Sequence, residues 1–175
     1  HAVTVRGGFA GSEAMADGRT GSNVSVFDGT SVDTCIDNTA SSGTLVLDRI
    51  ELKNAIYRGL KKVGDANLEL KGCRIVSNGK CAGVSAKATC YKGRGLYIEG
   101  STANKASVTI ENCRIADNVQ PLNGAFDWAS TVSHGAGAYF KTLAGVTIKN
   151  TAFLGNGLFR SVSQAAWNNI APARG

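Results

Sequence analysis

The side chains best suited to recognising a ligand concentrate in one stretch of the chain, residues 119–134. This stretch holds Phe126, Asp127, Trp128 and His134, although aromatic residues make up only 7% of the sequence. Aromatic ring faces stack on sugars, and an adjacent carboxylate or imidazole can hydrogen-bond sugar hydroxyls. The pattern predicts a glycan or partner contact at these four residues. The alternative is that Phe126 and Trp128 pack the stretch onto the protein and that His134 is a turn residue.

Residue types that build catalytic and metal centres are sparse. The chain has two His and five Cys and no Cys-x-x-Cys spacing, so we predict no metal site and no cofactor. Glycosidases need a pair of carboxylates that flank the scissile bond. Asp33 and Asp37 are close in sequence, but no column of Asp residues follows them along the chain. The sequence therefore predicts no catalytic residue.

The net charge of +6, from 19 basic and 13 acidic residues, favours anionic partners. A local basic patch is predicted at Lys80, Lys87, Lys92 and Arg94, and acidic polysaccharide is a ligand class that would suit it. A moderately basic secreted surface is the alternative explanation of this charge. The sequence has no basic helix or aromatic-studded basic strand, so nucleic acid is not an expected partner. No apolar run approaches the roughly 20 residues of a membrane-spanning helix, so no membrane span is expected.

The elements that must position these residues come from an internal repeat. Segments 45–52, 68–75, 108–115 and 146–153 align without gaps and alternate apolar with polar residues, which predicts strands with one buried face. Their apolar positions form two predicted columns, which are Leu47, Leu70, Ile110 and Ile148, and Leu52, Ile75, Ile115 and Phe153. The first column has intervals of 23, 40 and 38 residues. A short solenoid coil takes about 20–25 residues, so the longer intervals predict inserted loops at about 79–92 and 119–134.

Polar positions of the repeat support the same stacking. Asn78, Asn118 and Asn156 are predicted to form a ladder of side-chain amides that hydrogen-bond from coil to coil. Another column alternates in charge and consists of Asp48, Lys71, Glu111 and Lys149. Neighbouring strands about 4.8 Å apart would bring these charges within reach of ion pairing.

These observations predict an all-β fold, a right-handed single-stranded parallel β-helix of about five to seven coils with two inserted loops. The chain, 1–175, is expected to form a single domain, with coils over about 3–157 and an atypical C-terminal segment, 158–175. Further strands are predicted near residues 3–5, 24–26 and 35–36. A short helix or irregular cap is predicted at 161–170.

The five cysteines are an odd number, so at least one stays free or pairs between molecules. Cys81 and Cys90 bracket the first predicted loop and are the candidate disulfide. Cys73 and Cys113 fall at equivalent positions of consecutive repeats, where stacked side chains run parallel and do not point at each other. We expect these two to stay reduced and to pack as small apolar groups.

Two short motifs recur at the loops and strand ends. Gly93-Arg-Gly-Leu-Tyr97 matches Gly135-Ala-Gly-Ala-Tyr139, and Phe153-Leu-Gly-Asn156 closes the last repeat. They resemble the Gly-Gly-Ala-aliphatic and Phe-x-x-Asn motifs of right-handed parallel β-helix proteins of the pectin-lyase-like superfamily, closest to polymorphic outer-membrane proteins and adhesins. The resemblance covers about residues 3–157 and implies an extracellular or bacterial cell-surface location. Its members include adhesins, passenger domains, lyases and hydrolases, but the lyase motif Arg-x-Pro-x-x-Arg is absent.

The leading expectation is a non-catalytic extracellular structural or adhesive protein. A β-helix ends in unpaired strand edges that can pair with another copy, and a strand predicted almost at the first residue leaves no room for a capping helix. Head-to-tail contacts that do not close make filaments, so we expect a homo-oligomer or filament formed by end-to-end coil stacking. One alternative is a carbohydrate-active enzyme, a polysaccharide lyase or hydrolase, or a glycan-binding module for acidic polysaccharide. Another is a passenger segment of a longer autotransporter.

Overall fold

The computed structural model describes residues 2–9, 19, 23–79, 92–101, 105–122 and 135–160. Within these residues the chain is all-β, and it contains no helix long and apolar enough to cross a bilayer. The strands are β1 (Ala2–Arg6), β2 (Ser25–Asp28), β3 (Thr34–Asn38), β4 (Thr44–Asp48), β5 (Ile50–Lys53), β6 (Arg58–Val63), β7 (Asn67–Lys71), β8 (Arg74–Val76), β9 (Leu96–Glu99), β10 (Ser107–Glu111), β11 (Arg114–Ala116), β12 (Val119–Leu122), β13 (Ala138–Lys141), β14 (Gly145–Lys149), β15 (Ala152–Leu154) and β16 (Gly157–Arg160).

The strands pair in parallel into three larger sheets. Sheet 1 has the order β1-β4-β7-β10-β14, sheet 2 the order β2-β5-β8-β11-β15, and sheet 3 the order β3-β6-β9-β13. The chain passes through sheets 1, 2 and 3 successively and adds one strand to each sheet before it returns to sheet 1. One such passage through the three sheets is one turn of the structure. This all-parallel, stacked arrangement is compatible with a β-helix. The remaining strands, β12 and β16, pair with each other.

The strand register matches the repeat alignment. In sheet 1 Leu47 pairs with Leu70, Leu70 with Ile110, and Ile110 with Ile148. Sheet 2 stacks the residues of the other predicted column, Leu52, Ile75, Ile115 and Phe153. Because the side-chain period of a strand is two, this register places every apolar position of the repeat on the same face.

The inward-facing side chains of the three sheets form one hydrophobic cluster. Leu47 from sheet 1, Leu52 from sheet 2 and Leu60 from sheet 3 all belong to it and are almost fully buried. Burial of a Leu or Ile side chain contributes about 1.5–3 kcal/mol, so the stacked columns supply much of the stability. The outward faces carry most of the charged residues.

In the second to fifth turns a single residue with positive φ makes the corner between sheets 1 and 2. Gly72, Asn112 and Asn150 take this position with φ of 59°, 55° and 46°. Glycine and asparagine tolerate the left-handed conformation better than other residues. The second turn instead places Arg49 there, with φ of 56°. An arginine in this conformation is uncommon and indicates an additional role for its side chain.

Two strands lie outside the predicted boundaries. β12 falls in the predicted loop 119–134, and β16 falls mostly in the segment predicted to be atypical. Pro121 and Gly157 interrupt the apolar alternation, and both residue types are depleted in strands, so the sequence pattern did not indicate pairing here. Among the described residues β12 and β16 form a sheet of only two strands, and Pro is compatible with edge strands. The predicted helix or cap at 161–170 lies outside the described residues.

Candidate functional site

The asparagine ladder is formed by side chains that are buried and hydrogen-bonded. Asn78 Nδ2 donates to Leu52 O at 3.0 Å and to Asn118 Oδ1 at 3.0 Å. Asn118 Nδ2 donates to Ile75 O and to Asn156 Oδ1, both at 2.9 Å. Each amide therefore joins its own turn to two neighbours, and no polar atom of the buried pair Asn78 and Asn118 is offered to a ligand.

The ladder has no amide side chain in the second turn. Asn54, which falls one place early in the alignment, instead donates to Asp28 at 3.1 and 3.2 Å. The equivalent position is Ala55, whose backbone N–H donates to Asn78 Oδ1 at 3.0 Å.

The second glycine of the Gly-x-Gly strands fits against this ladder. A Cβ at Gly95 would lie 2.3 Å from Gly137 O and 2.9 Å from Asn118 Nδ2. A Cβ at Gly59, the equivalent residue one turn earlier, would lie 2.8 Å from Asn78 Nδ2. Glycine is required here because the backbone of sheet 3 approaches the stacked amides too closely for any side chain. The two motifs of the repeat are therefore packing partners.

The outer face of sheet 3 carries a tyrosine–cation face, which consists of Arg58, Lys92, Tyr97, Glu99, Tyr139 and Lys141. Tyr97 and Tyr139 are register partners on β9 and β13, and their rings stack with centroids 5.2 Å apart and planes 19° apart. The Arg58 guanidinium lies 4.7 Å from the Tyr97 ring centroid, and Lys92 Nζ lies 5.3 Å from that of Tyr139. Such cation–π contacts contribute roughly 0.5–1 kcal/mol at exposed sites.

Glu99 connects the two tyrosine-bearing strands. It forms an ion pair with Lys141 on the next strand and accepts a hydrogen bond from the Tyr97 hydroxyl. The Lys141 ammonium and the Tyr97 hydroxyl hold the pKa of Glu99 below its usual range. Burial and the hydrogen bond to Glu99 raise the pKa of Tyr97 to about 12. At neutral pH Tyr97 is thus a phenol that donates to a carboxylate, which suits a fixed surface rather than acid–base chemistry.

Only part of the predicted basic patch lies among the described residues. Lys92 belongs to the tyrosine–cation face, whereas Arg94 is fully buried and its Nη1 donates to Gly79 O at 2.9 Å. The expectation that Arg94 contributes surface charge is therefore wrong, because strand alternation turns its side chain inward with Leu96 and Ile98. The other predicted residues lie outside the described part of the chain: Lys80, Lys87, Cys81, Cys90, Phe126, Asp127, Trp128 and His134.

Two further buried cations were not predicted. Arg58 lies one turn before Arg94 at the equivalent position, and its Nε donates to Lys92 O at 3.1 Å. Lys62 is fully buried at the register position of Ile98, and its ammonium donates to Gly64 O. Burial lowers the pKa of Lys62. The match of Arg58-Gly-Leu60 with Arg94-Gly-Leu96 is a sequence signal that would have identified the first of these.

The charge column of sheet 1 is in register but forms only one of its three predicted ion pairs. Lys149 Nζ lies 3.4 Å from Glu111 Oε1. Lys71 Nζ instead lies 2.6 Å from Glu69, two residues away on the same strand face, and Asp48 pairs with Arg19 at 2.7 Å. These closer partners replace the predicted Asp48–Lys71 and Lys71–Glu111 pairs.

The three described cysteines, Cys35, Cys73 and Cys113, are all free. The backbone N–H of Cys73 donates to Cys113 Sγ at 3.3 Å, and the Cys73 thiol donates to Leu47 O at 3.2 Å. The hydrogen bond to Cys113, together with burial, raises the pKa of the Cys73 thiol. The prediction that this pair stays reduced and packs as small groups is confirmed for the described structure.

The described residues contain no group of three or more His, Cys, Asp or Glu that could hold a metal ion. Their carboxylates are mostly engaged in ion pairs or hydrogen bonds. Hydrogen bonds from Thr30 and Asn54 lower the pKa of Asp28, and the pKa of Glu99 is lowered by Lys141 and Tyr97. A carboxyl group that acts as a general acid near neutral pH requires a raised pKa instead. What these groups provide is a rigid, charged surface.

The chain matches no protein-family model, no curated protein and no solved structure. The case for its function therefore depends on the geometry of the sheets, on their ends and on their outer faces.

Proposed function

We propose that the chain is a non-catalytic extracellular structural or adhesive module, a right-handed parallel β-helix of the pectin-lyase-like type, whose copies stack end to end into a filament. A single observation carries this proposal: among the described residues, nothing covers the inward-facing apolar columns at either end of the stacked sheets.

The uncovered columns are visible in the exposure of the first and last turns. Val3 on β1 is 59% exposed and Phe27 on β2 is 41% exposed. At the other end Ile148 on β14 is 44% exposed and Phe153 on β15 is 41% exposed. All four residues occupy core columns of the repeat. The terminal strands are also sheet edges, whose free backbone groups can pair with another strand.

The two ends are complementary when the internal register is continued from one copy to the next. With β14 of one copy beside β1 of another, Val146 meets Val3 and Ile148 meets Val5. In sheet 2 Phe153 meets Phe27 of the second copy. The apolar columns would thus run through the junction with the 4.8 Å strand spacing of any parallel sheet. A contact of this kind is head-to-tail and does not close, so it produces filaments.

One pair opposes this junction. The same register places Lys149 beside Arg6, and both side chains are exposed. Salt screens the repulsion between exposed like charges. We therefore expect assembly to increase with ionic strength.

The test places a charge in each uncovered column. Val3→Lys and Val146→Lys should each abolish filaments in negative-stain microscopy and high-mass species in sedimentation velocity. Thr147→Lys adds the same charge to the outward face of β14 and is the matched control, which should still assemble. An equal mixture of Val3→Lys and Val146→Lys should give a dimer, because each variant keeps one intact end. Monodisperse wild-type particles at high salt and high concentration would refute the proposal.

A glycan-binding module for acidic polysaccharide is the second candidate, and a carbohydrate-active enzyme is its catalytic form. The observation in its favour is the tyrosine–cation face, on a chain with a net charge of +6. The rings of Tyr97 and Tyr139 already contact each other and two cations, so the ligand would be held by charge at this face. Retention on immobilised polygalacturonate that is lost in Lys92→Gln supports binding, and release of sugar that is lost in Asp127→Asn supports catalysis.

A further inference from the structure

A second charged site lies at the corner between sheets 1 and 2, on a different side of the molecule from the tyrosine–cation face. A cavity of about 270 Å³ opens there. Its polar and charged lining comes from side chains of the first four turns: Asn23, Arg49, Arg74, Asn112 and Arg114. We propose that this corner arginine site binds an oxyanion, the phosphate, sulfate or carboxylate group of a ligand.

Two of the arginines are placed where they repel each other. Arg74 and Arg114 are register partners on β8 and β11, strands that are about 4.8 Å apart. Like charges directly opposite each other on a sheet are destabilising. Glu51 relieves Arg74 at 3.7 Å, but Arg114 has no ion-pair partner among the described residues. An anion between the two guanidinium groups would remove this repulsion.

Arg49 supplies the second, independent observation. Its Nη1 is buried from solvent and has no hydrogen-bond partner in the part of the chain that the structure describes. A buried donor without an acceptor costs about 1–3 kcal/mol. Arg49 also occupies the left-handed corner that the other turns assign to Gly or Asn, so its backbone adds to this cost. A ligand oxygen at Nη1 would offset the cost of the unpaired donor.

Gly8 makes room for the Arg49 side chain, and Gly72 lies at ordinary contact distance from it. A Cβ at Gly8 would lie 2.8 Å from Arg49 Cδ, and a Cβ at Gly72 would lie 3.5 Å from Arg49 Cγ. The side chain is therefore packed along its length, and its guanidinium is held in place before a ligand arrives. Such preorganisation lowers the entropy cost of binding.

The remaining groups at the corner favour an anion. Asn23 and Asn112 carry amides that can donate hydrogen bonds. Asp48, next to Arg49 in sequence, is neutralised by Arg19 at 2.7 Å. Among the described residues at this corner, three guanidinium groups therefore stand against one carboxylate, that of Glu51. Guanidinium forks bind phosphate, sulfate and carboxylate groups with paired hydrogen bonds, which identifies the ligand class.

The experiment titrates the full chain with inorganic sulfate and inorganic phosphate at low ionic strength, followed by calorimetry and by the thermal midpoint. Both anions should bind and raise the midpoint, whereas chloride at the same ionic strength should not. Arg114→Gln and Arg49→Gln should each weaken binding by about ten-fold or more, since each removes charged hydrogen bonds. Glu51→Gln should tighten binding, because it removes the carboxylate that competes for Arg74.

Lys105→Gln is the matched control, since Lys105 is exposed, lies before β10 and carries the same charge. It should change sulfate affinity by no more than about two-fold, as expected for a distant screened charge. Arg114→Lys, which keeps the charge but not the planar fork, should lie between wild type and Arg114→Gln. A wild-type titration with no binding, or equal losses in Lys105→Gln and Arg114→Gln, would overturn the proposal. If Arg49→Gln fails to fold, the sulfate affinities of the two variants at the exposed Arg114 decide whether the proposal holds.

A second arm separates free anions from an anionic polymer. Oligogalacturonate and its carboxyl-reduced neutral counterpart are each added in competition with sulfate. Displacement of sulfate by the acidic oligomer alone assigns the site to a carboxylate carried on a sugar chain. Sulfate binding without such displacement assigns it to a free ion, and both results support an oxyanion site. Displacement by the neutral oligomer as well would contradict recognition by charge.

Discussion

The middle turns and the last turn carry the same residues at the same register positions, yet in different environments. Ile110 on β10 is fully buried, and Ile148, its partner on β14, is 44% exposed. Both are strands of sheet 1, but among the described residues a further turn follows β10 and none follows β14. In stacked repeats each turn is stabilised by its neighbours, so a residue's contribution depends on its place in the stack as well as on its type.

The difference is also informative about function. The strands at the two ends carry the same apolar columns that pack between turns inside the stack. Each end could therefore pack against the opposite end of another copy, which is the basis of the proposed end-to-end assembly. The oxyanion site, by contrast, lies along one corner of the stack and needs side chains from the first four turns. Changes at the ends should therefore affect assembly, and changes in the middle should affect folding and anion binding.

The largest expected effect compares Ile110→Ala with Ile148→Ala. Loss of a fully buried Ile side chain costs about 2–5 kcal/mol, because transfer and cavity terms add. Ile148→Ala should cost about 1 kcal/mol or less at protein concentrations where the chain is monomeric, since its side chain is already partly in water. Urea unfolding monitored by circular dichroism measures both. Equal losses in the free energy of unfolding would mean that Ile148 is buried in solution, which would contradict the difference between the two turns.

A smaller effect is expected in the asparagine ladder. Asn118 is fully buried and joins three turns, so Asn118→Ala leaves buried carbonyl and amide groups unpaired and should cost about 2–3 kcal/mol. Asn156→Ala should cost about 1 kcal/mol, because Asn156 is only half-buried and has no described turn beyond it. Hydrogen exchange of the Asn78 and Asn118 backbone amides would show which turns loosen. A larger loss for Asn156 than for Asn118 would contradict this order.

The smallest effect concerns the pH dependence of the tyrosine–cation face. The folded-state pKa of Glu99 is lowered from 4.5, so its contribution to stability is present above pH 4.5 and is lost as the pH falls through the lower folded value. The pKa of Tyr97 is raised from 10.0 to about 12, so its contribution is present below pH 10 and is lost as the pH rises towards 12.

Thermal unfolding midpoints measured across pH test both the acid loss of stability assigned to Glu99 and the alkaline loss assigned to Tyr97. Glu99→Gln should flatten the acid branch by a small amount, because its ion-pair partner Lys141 is more than half exposed and solvent screens the pair. Tyr97→Phe should flatten the alkaline branch. Lys105→Gln, which removes one exposed charge outside this face, serves as the control and should change neither slope.

The sequence predicted the register of sheets 1 and 2 and the asparagine ladder, because apolar alternation repeated without gaps leaves little freedom of alignment. It failed where long polar side chains choose between partners. Lys71 pairs within its own strand, and Arg94 turns inward although arginine is usually exposed. β12 was missed because Pro121 hid its pairing. Arg58 and Lys62 were missed because buried cations break the apolar pattern by which buried positions are identified.

The order of residues along this chain determines that like positions lie above one another, since a repeated period-two pattern can bury its apolar side in only one register. The tertiary structure alone decides what the stacked turns bring together. Arg49, Arg74 and Arg114 are distant in sequence and meet only because three turns stack at one corner. The exposure of Ile148 is likewise a property of the end of the stack, because burial requires a neighbour and a residue type cannot supply one.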